Sequence, residues 1–394
     1  MGRRPSAARR VPILRRDPNP LSKEPDVPEL SELLRHVVEQ RGSDLHLKAG
    51  SRPFVRIDGH LTETPFDVLS PADTERLAYA VLPPARADEF GRTGEADFAY
   101  GSGEAGGAGR FRVNVFRQRG TVALVLRRVL PGTPSFDALG LPPAVRRLTE
   151  EPRGLVLVTG PTGSGKTTTI AAMIDSINEL QARHIVTIED PIEVLHADKR
   201  SLVNQREIGT DTENYASALK RVLRQDPDVI FIGEMRDDET VAAALSAANT
   251  GHLVFSTLHT VDATETVNRI VDFFPPHQQR QVRLSLAGSL RGIVSQRLLE
   301  RVDGKGRIPA VEVLVATGRA FDKIVNPDET HELEQIIAEG EYYGMQTFDQ
   351  SLFALYKNGL IGLRDALAAA SHPHDLRIAL QQAGLPVGTL DPAR

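Results

Sequence analysis

A glycine-rich run in the middle of the chain carries residue types that suit phosphate binding. It reads Gly-Pro-Thr-Gly-Ser-Gly-Lys-Thr, follows the apolar stretch Leu155 to Thr159, and precedes a stretch with helical spacing. Backbone N–H groups of such a turn converge on a phosphate, and the N-terminus of the following helix adds a positive dipole. The run therefore predicts a Walker A turn rather than a chance glycine-rich loop. Its predicted nucleotide-binding residues are Gly160, Pro161, Thr162, Gly163, Ser164, Gly165, Lys166, Thr167 and Thr168.

Two side chains of this turn have distinct roles in the predicted chemistry. The Lys166 ammonium is expected to contact the β- and γ-phosphates of ATP, and the Thr167 hydroxyl is expected to be a ligand of Mg²⁺. ATP and Mg²⁺ are therefore the expected cofactors. A phosphate cradle alone does not hydrolyse ATP, because it leaves the metal and the attacking water without protein partners.

Two glutamates end apolar, strand-like stretches and can supply what the turn lacks. Glu189 follows Ile188, and Glu234 follows Gly233. In-line attack on the γ-phosphate needs one group that orients or deprotonates water and one that helps to hold the metal. Either glutamate can take either role. We favour Glu234 as the catalytic carboxylate and Glu189 as a second organiser of water or metal, so both are candidate Mg²⁺ ligands together with Thr167.

A histidine and several arginines complete the candidate set. His259 follows a third strand-like stretch, where an imidazole can sense the γ-phosphate; the alternative is a structural histidine. No arginine stands beside the glycine turn, although transition-state charge on a phosphoryl group usually requires guanidinium groups. Arginines are dense in the strand-like stretches 110–116 and 121–129 and include Arg112 and Arg127. They predict either arginine fingers that act across a domain or subunit boundary, or an ordinary basic sheet face.

The strand-like stretches also predict the architecture that positions these residues. From Gly154 onward, short apolar stretches alternate with stretches of helical spacing, which is typical of a parallel sheet with helices on both faces. In such a sheet, functional groups gather at the carboxyl ends of the strands. The predicted fold class is α/β: a P-loop ATPase domain with a parallel-rich sheet, preceded by a smaller α+β domain. The predicted strands of the sheet are Leu155 to Thr159, His184 to Ile188, Val229 to Gly233 and His252 to Leu258.

Composition and spacing divide the chain into five segments. The first is an arginine-rich tail that is predicted to be disordered, with attraction to an anionic lipid surface as the alternative. An α+β domain, a proline-containing linker, an ATPase domain with a helical C-terminal part, and a C-terminal tail follow it. The predicted boundaries of these segments are 1–27, 28–130, 131–150, 151–371 and 372–394.

The overall composition excludes several classes of function. The chain carries 47 basic and 52 acidic residues, a net charge of −5, so we expect no nucleic acid as its main partner. It contains no cysteine, which excludes disulfides and thiolate metal sites and fits a reducing cytoplasm. No apolar run reaches the roughly 20 residues that are needed to span a bilayer. We therefore expect a soluble protein or one that docks peripherally on a membrane.

Six motifs in order resemble the secretion-ATPase superfamily, and most closely its PilT-type pilus-retraction motors. They are GLVLVTGPTGSGKTTT, HIVTIEDPIEVLH, LVNQREIG, LRQDPDVIFIGEMRD, GHLVFSTLHT and NRIVDFFP. The resemblance continues upstream through SDLHLKAGSRPFVRIDGHL and RFRVNVF and downstream through GMQTFDQSL, and covers roughly residues 28 to 360. It implies a PAS-like N-terminal domain joined to a RecA-like ATPase domain.

The resemblance also implies an assembly, a location and site residues. The implied assembly is a homo-hexameric ring in the cytoplasm, at the inner face of the plasma membrane, where ATP turnover moves an inner-membrane platform protein of a type IV pilus. Membrane association is then peripheral, through the pilus machinery. The motifs place Glu189 in the Asp box, Glu234 in Walker B and His259 in the His box. Arg112 and Arg127 match the N-domain arginines that reach nucleotide at an interface.

The direction of the motor and its turnover have alternatives. Assembly-type relatives carry a longer N-terminal region and commonly a tetracysteine zinc element, so the absence of cysteine favours retraction and twitching motility. The retraction signature Ala-Ile-Arg-Asn-Leu-Ile-Arg-Glu, however, is replaced by the segment Arg319 to Asn326. A pilus-assembly or type II secretion ATPase is therefore one alternative. Others are a nucleotide-gated scaffold that hydrolyses ATP weakly and, from fold analogy alone, a DNA translocase.

Overall fold

The computed structural model describes residues 28–57, 59–101, 109–129 and 132–387. The segment predicted as a disordered basic tail, residues 1–27, lies outside these ranges. The chain divides into two compact units, Met1–Arg128 and Val129–Arg394. None of the helices within the described ranges combines the length and the apolar composition needed to cross a lipid bilayer.

The N-terminal unit is built on a six-stranded sheet with helices. Its strands are β1 Asp44–Lys48, β2 Phe54–Ile57, β3 His60–Glu63, β4 Glu95–Gly101, β5 Arg110–Gln118 and β6 Thr121–Val129, and its helices are α1 Leu30–Glu39, α2 Pro71–Tyr79 and α3 Pro84–Thr93. The strand order is β3-β2-β1-β6-β5-β4, and β1 pairs antiparallel with β2 and β6. Alternation along β5 buries Phe111, Val113 and Val115 and leaves Arg112 exposed. These features confirm the predicted α+β unit.

The C-terminal unit contains the predicted parallel-rich sheet. Its strands are β7 Gly154–Thr159, β8 His184–Glu189, β9 Leu202–Glu207, β10 Val229–Ile232, β11 Leu253–Leu258, β12 Leu290–Glu300 and β13 Arg307–Val315. The order is β13-β12-β7-β11-β10-β8-β9. All neighbouring pairs are parallel except β12 and β13, which form an antiparallel hairpin. The predicted α/β fold class is therefore confirmed.

Helices cover both faces of this sheet. Leu155 and Leu157 of β7 belong to one buried apolar cluster, while Val156 and Val158 belong to another, as expected for a strand covered on both sides. The helices are α4 Phe136–Leu139, α5 Pro143–Arg147, α6 Lys166–Leu180, α7 Tyr215–Val222, α8 Asp238–Asn249, α9 Ala263–Asp272, α10 Pro276–Ser289, α11 Gly318–Val325, α12 Leu333–Glu339, α13 Phe348–Lys357, α14 Leu363–Ala369 and α15 Pro373–Gln382, with shorter 3₁₀ turns at Leu148–Glu150, Pro327–Glu332 and Glu341–Tyr343.

The segment predicted as a linker, residues 131–150, contains folded structure. It forms α4, α5 and a 3₁₀ turn, and Val145 and Leu148 are buried in one of the two clusters that cover the sheet. Pro143 is the first residue of α5. Proline is tolerated in the first turn of a helix because the N–H group that it lacks has no partner there. Pro142, one of the residues that suggested a linker, is the N-cap residue of the same helix.

The segment predicted as a C-terminal tail, residues 372–394, also begins with a helix. In α15, Leu376 and Leu380 are buried in an apolar cluster with residues of α13 and α14. Pro373 opens this helix as Pro143 opens α5. The prediction of a tail was therefore wrong for Pro373–Gln382, and the exact domain boundaries stay predictions.

Candidate nucleotide-binding site

The Walker A turn joins the end of β7 to the start of α6. Gly160, Gly163 and Gly165 have φ values of 142°, 82° and 91°, a region that glycine adopts more readily than other residues. A Cβ atom at Gly160 would lie 2.4 Å from the Gln296 carbonyl oxygen and 2.5 Å from Ser164 Oγ. Gly160 therefore permits close packing of the turn against β12.

Helix α6 begins without a side-chain cap. Its N-cap residue is Gly165, which has no side chain that can accept a hydrogen bond. In contrast, the side chains of Asn214, Asp237 and Asp262 cap α7, α8 and α9 by accepting an N–H bond from the third helical residue. The first turn of α6 therefore presents N–H groups that an anion can bind, as expected for a phosphate site. The turn fits the phosphates of the expected ATP.

The Lys166 side chain lies across the same turn. Its Nζ donates hydrogen bonds to the carbonyl oxygens of Gly160 and Pro161, at 2.7 and 3.1 Å. Burial lowers the pKa of Lys166, while the carboxylates of Glu234 and Glu193 act in the opposite direction. The predicted phosphate-binding ammonium is thus close to the turn and within electrostatic range of the predicted catalytic glutamate.

The other residues of the turn differ in exposure. Ser164 is buried and Thr167 is half-buried, whereas the exposed members are Pro161, Thr162, Gly163 and Thr168. The next residue, Thr169, is buried, and its Oγ1 accepts a hydrogen bond of 2.9 Å from Gln296 Nε2. Contacts of the turn residues with nucleotide stay predictions.

Glu234 lies two residues beyond the end of β10 and is flanked by charged groups. Its carboxylate forms an ion pair with Arg236, which raises the pKa of the guanidinium through a direct hydrogen bond. The distance from Glu234 Oε2 to His259 Nε2 is 3.4 Å. The Glu234 side chain is 15% exposed. The structure therefore brings Lys166, Glu234 and His259 together at the carboxyl edge of the sheet.

Hydrogen bonds from β11 fix the turn that carries Glu234. Thr257 Oγ1 donates to the Gly233 carbonyl oxygen at 2.6 Å, and the Met235 N–H donates to the Thr257 carbonyl oxygen at 3.2 Å. Thr257 lies in β11, and His259 is the first residue after the end of that strand. The two strand ends therefore position the glutamate and the histidine as a unit.

Sequence reasoning missed two residues of this region. Arg236 was part of the quoted Walker B motif, but only the folded turn shows that it pairs with Glu234. Tyr215 was also overlooked; a Cβ atom at Gly233 would lie 2.9 Å from its hydroxyl oxygen. Burial raises the pKa of Tyr215, and the Asp190 and Glu234 carboxylates add to this effect. Tyr215 is therefore a neutral hydroxyl group near Glu234, the predicted catalytic carboxylate.

Glu189, the last residue of β8, has a different environment. It is 6% exposed, and its Oε1 accepts hydrogen bonds from Thr187 Oγ1 at 2.6 Å and Gln205 Nε2 at 3.2 Å. Burial raises the pKa of Glu189, and this effect is larger than the opposite effect of the two hydrogen bonds. The carboxyl group is thus held by neutral donors of its own unit, and its role toward water or metal stays a prediction.

The metal site predicted from the sequence involves Thr167, Glu189 and Glu234. Among the described residues, no group of three or more His, Cys, Asp or Glu side chains is arranged to hold a metal ion. Mg²⁺ typically binds through one or two protein oxygens together with phosphates and waters. A hydroxyl at the start of α6 and nearby carboxylates fit that kind of donor set, and the individual ligands stay predictions.

The two candidate arginines belong to the N-terminal unit. Arg112 is an exposed residue of β5. The Nε atom of Arg127, on β6, donates a hydrogen bond of 2.8 Å to Oδ1 of the buried Asp44. Burial acts to raise the pKa of Asp44, but the bonds from Arg127 and Ser43 outweigh it and leave that pKa lowered. Contact of either arginine with nucleotide stays a prediction.

Comparison with known proteins identifies the family. The family model described as "Type II/IV secretion system protein" matches residues 97–347. The chain belongs to this family. Its members named for type II secretion or pilus assembly match this chain at lower identity than the PilT-type members do.

Several PilT-type relatives match most of the chain. The type IV pilus retraction ATPase PilT of Pseudomonas aeruginosa is 42% identical over 88% of this chain and 99% of its own length. The type IV pilus ATPase PilU of the same organism is 42% identical over 90% of this chain and 91% of its own length. A twitching motility protein of Neisseria gonorrhoeae is 42% identical over 82% of this chain and 86% of its own length.

A solved structure supports the same assignment. The crystal structure of the pilus retraction motor PilT with bound ADP superimposes with a TM-score of 0.81 at 48% identity. It covers 88% of this chain and 98% of the PilT chain. These matches confirm the resemblance to PilT-type secretion ATPases that the motifs indicate.

Proposed function

We propose that this chain is an ATP-hydrolysing, homo-hexameric motor that drives type IV pilus retraction and twitching motility. The observation that carries the proposal is the joint placement of Lys166, Glu234 and His259 at the carboxyl edge of the sheet. The match to the PilT retraction ATPase, over 99% of that protein, supports the direction of the motor. The segment Arg319 to Asn326 departs from the retraction signature, but nearly all of it lies in the helix α11, with Ala320 and Ile324 buried.

The proposed setting is the cytoplasm, at the inner face of the plasma membrane. The partner there is an inner-membrane platform protein of the pilus machinery, and membrane association is peripheral, through that machinery. Nucleic acid is not a proposed partner, because the net charge of −5 offers no excess of cations for a phosphate backbone. The proposed domains are a PAS-like N-terminal domain and a RecA-like ATPase domain that also includes α4, α5 and α15.

The mechanism follows from the residues at the sheet edge. Mg-ATP, when bound, supplies the phosphoanhydride bond that is cleaved and the cation that spreads its charge. The first-turn N–H groups of α6 and the Lys166 ammonium bind the phosphates. Glu234 accepts a proton from the attacking water or orients it, and His259 lies close enough to respond to the state of that carboxylate. Arg236 must release Glu234 for this role, because the ion pair occupies the carboxylate.

For Glu189, Arg112 and Arg127 we propose the roles that the sequence suggests. Glu189 helps to organise water or metal beside Glu234. Arg112 and Arg127 reach nucleotide as arginine fingers across an interface, which makes hydrolysis depend on assembly of the ring.

The experiment that tests this function is a gene deletion followed by complementation. The deletion strain is expected to lose twitching and to accumulate pili, and the wild-type gene is expected to restore movement. Lys166→Ala should not restore it, because the phosphates lose their ammonium partner. Lys199→Ala is the matched control, since Lys199 is an exposed lysine that pairs with Asp175. Normal twitching in the deletion strain would contradict the proposal.

The main competing function is that of an accessory ATPase with weak turnover. The match to PilU, whose name gives a type IV pilus ATPase and no direction of movement, has the same identity as the match to PilT. A deletion strain that still retracts pili with reduced force would indicate the accessory role. Loss of surface pili in the deletion strain would instead indicate the assembly or secretion alternative.

A further inference from the structure

A buried carboxylate outside the nucleotide turn occupies a row of polar side chains. Glu312 of β13 is 5% exposed. It lies opposite Ser295 of β12 in the antiparallel register, and Ser295 lies opposite Thr159 of β7 in the parallel register. Thr159 and Ser295 are fully buried and belong to strands that are otherwise mainly apolar. The row crosses three strands and ends at the residue before Gly160.

The side chains of this row are hydrogen-bonded to one another. Thr159 Oγ1 donates to Ser295 Oγ at 3.1 Å, and Ser295 Oγ lies 3.5 Å from Glu312 Oε1, the long limit of a hydrogen bond. A buried hydroxyl that loses its partner costs free energy, so the row specifies one arrangement of the strands. Glu312 is thus connected to the strand that leads into the Walker A turn.

The same carboxylate oxygen also holds the start of α9. The N–H group of Ala263, the first residue of that helix, donates to Glu312 Oε1 at 2.8 Å. Ala263 lies four residues after His259. Thr260, the residue after His259, has its Oγ1 atom 2.6 Å from Oγ1 of Thr266 in α9. This contact fixes the His259 loop on α9. Glu312 therefore joins the His259 loop, which it contacts through Ala263, to the Walker A strand, which it reaches through Ser295.

We propose that Glu312 is a positioning residue for ATP hydrolysis, which holds the His259 loop in register with the Walker A strand. The inference rests on the proposed ATPase function. Glu312 contacts neither the Walker A turn nor Glu234 in the described bonds, so it acts through Ser295 and Ala263. Sequence motifs gave no sign of it, because the link depends on the register of three strands.

The electrostatic surroundings make this connection sensitive to pH. Burial raises the pKa of Glu312 to about 7, opposed by the bond from Ala263 and assisted by the Asp262 carboxylate. The ionised form accepts hydrogen bonds more strongly than the protonated form. Charged and titratable groups face Glu312 from every element that surrounds its cavity, namely Asp262 and Glu265 of α9, Arg297 of β12, His331 and Glu332 of the second 3₁₀ turn, Glu334 of α12, Asp349 of α13, and His372.

The test compares pH profiles of kcat and KM for ATP between wild type and Glu312→Gln. Glutamine keeps an acceptor for Ala263 and Ser295 but cannot ionise. We expect kcat of the wild type to rise through about pH 7 and that step to be absent in Glu312→Gln. Glu334→Gln is the matched control, because it removes an exposed carboxylate of the same cavity; the step should persist and move to lower pH, since the Glu334 charge helps to raise the pKa of Glu312.

Removal of the Glu312 side chain tests the connection between the His259 loop and the Walker A strand at a single pH. Glu312→Ala leaves both donors unpaired and should lower kcat about tenfold while it changes the KM for ATP less than about threefold. If Glu312→Ala does not fold, Ser295→Ala replaces it, since it removes only one hydroxyl, and a several-fold loss of kcat is expected. Far-UV circular dichroism verifies the fold of each variant.

Three results would overturn the inference. The first is a pH profile of kcat for Glu312→Gln that superimposes on that of the wild type. The second is a kcat of folded Glu312→Ala within about twofold of the wild-type value. The third, used if Glu312→Ala is unfolded, is a kcat of Ser295→Ala within about twofold of the wild-type value. Wild-type hydrolysis that Lys166→Ala abolishes supports the proposed function independently of Glu312. A wild type without ATPase activity would overturn the proposed function together with this inference.

Discussion

The regions around Glu234 and Glu189 place two carboxylates near one sheet edge in opposite environments. Glu234 is 15% exposed and is surrounded by an arginine, a histidine and a lysine. Glu189 is 6% exposed and is bonded to a hydroxyl and an amide. Charged partners and exposure leave a carboxylate within reach of ions and water, whereas burial with neutral donors raises the pKa of a carboxyl group. The comparison teaches that position at the strand end does not by itself decide the role of a carboxylate.

The largest expected effect separates the two glutamates by isosteric substitution. Glu234→Gln should lower kcat by at least about 100-fold, since it removes the general base. Glu189→Gln should lower kcat by no more than about tenfold, because glutamine can still accept the bond from Thr187. Steady-state ATPase assays with the purified protein measure both values.

Glu239→Gln provides a matched control for this pair. Glu239 lies on α8, is 60% exposed, and pairs only with the exposed Lys220 among the ion pairs of the described residues. The Glu239→Gln variant should leave kcat unchanged, since an exposed ion pair contributes little to stability. A loss for Glu189→Gln as large as that for Glu234→Gln would break the comparison and would favour an essential metal or water role for Glu189.

A smaller effect concerns the partner of Glu234. Arg236→Gln removes the ion pair that occupies Glu234 and should raise kcat by about three- to tenfold, because Glu234 stays in place through the bonds of Thr257 to its turn. Nucleotide affinity, followed by titration with a fluorescent ADP analogue, should change less than kcat. An unaltered kcat would mean that Arg236 does not restrict or assist the carboxylate.

The smallest effect is on the pH dependence of stability. The pKa of folded Glu189 lies above its ordinary value of 4.5 because burial disfavours the charged form. The folded state therefore binds more protons than the unfolded state above about pH 4.5. The contribution of Glu189 to stability then falls as the pH rises from that value through the folded pKa.

Urea unfolding of wild type and Glu189→Gln at several pH values measures this contribution. The free energy of unfolding of the wild type, relative to the variant, should decrease as the pH rises above 4.5, the ordinary pKa of a glutamate. The opposite slope would indicate that the folded protein stabilises the ionised form of Glu189, and it would contradict the effect of burial.

The sequence predicts one part of this site well, for a physical reason. Strands that are apolar throughout must be buried on both faces, and in a parallel sheet their carboxyl ends meet at one edge. The convergence of the Walker A turn, Glu234 and His259 follows from that rule alone. The glycines at 160, 163 and 165 are likewise readable, because their positive φ values are what the turn requires.

Other parts depend on tertiary structure that no local pattern specifies. The bond between Arg236 and Glu234 depends on a turn held from β11. Burial of Glu189 depends on the packing of β9 against β8, through Gln205. The connection of Glu312 to the Walker A strand depends on the register of β7, β12 and β13. Proline content suggested a linker before the ATPase domain, although Pro142 is the N-cap residue of α5, because the same residue type stands at helix starts and in loops.

The most direct test is the rate of phosphate release from Mg-ATP by the purified protein and by Lys166→Ala. The account predicts that the wild type releases phosphate and that Lys166→Ala falls to background, because the ammonium over the Walker A turn is lost. An equal rate for the two proteins would contradict the assignment of this turn as the site of hydrolysis.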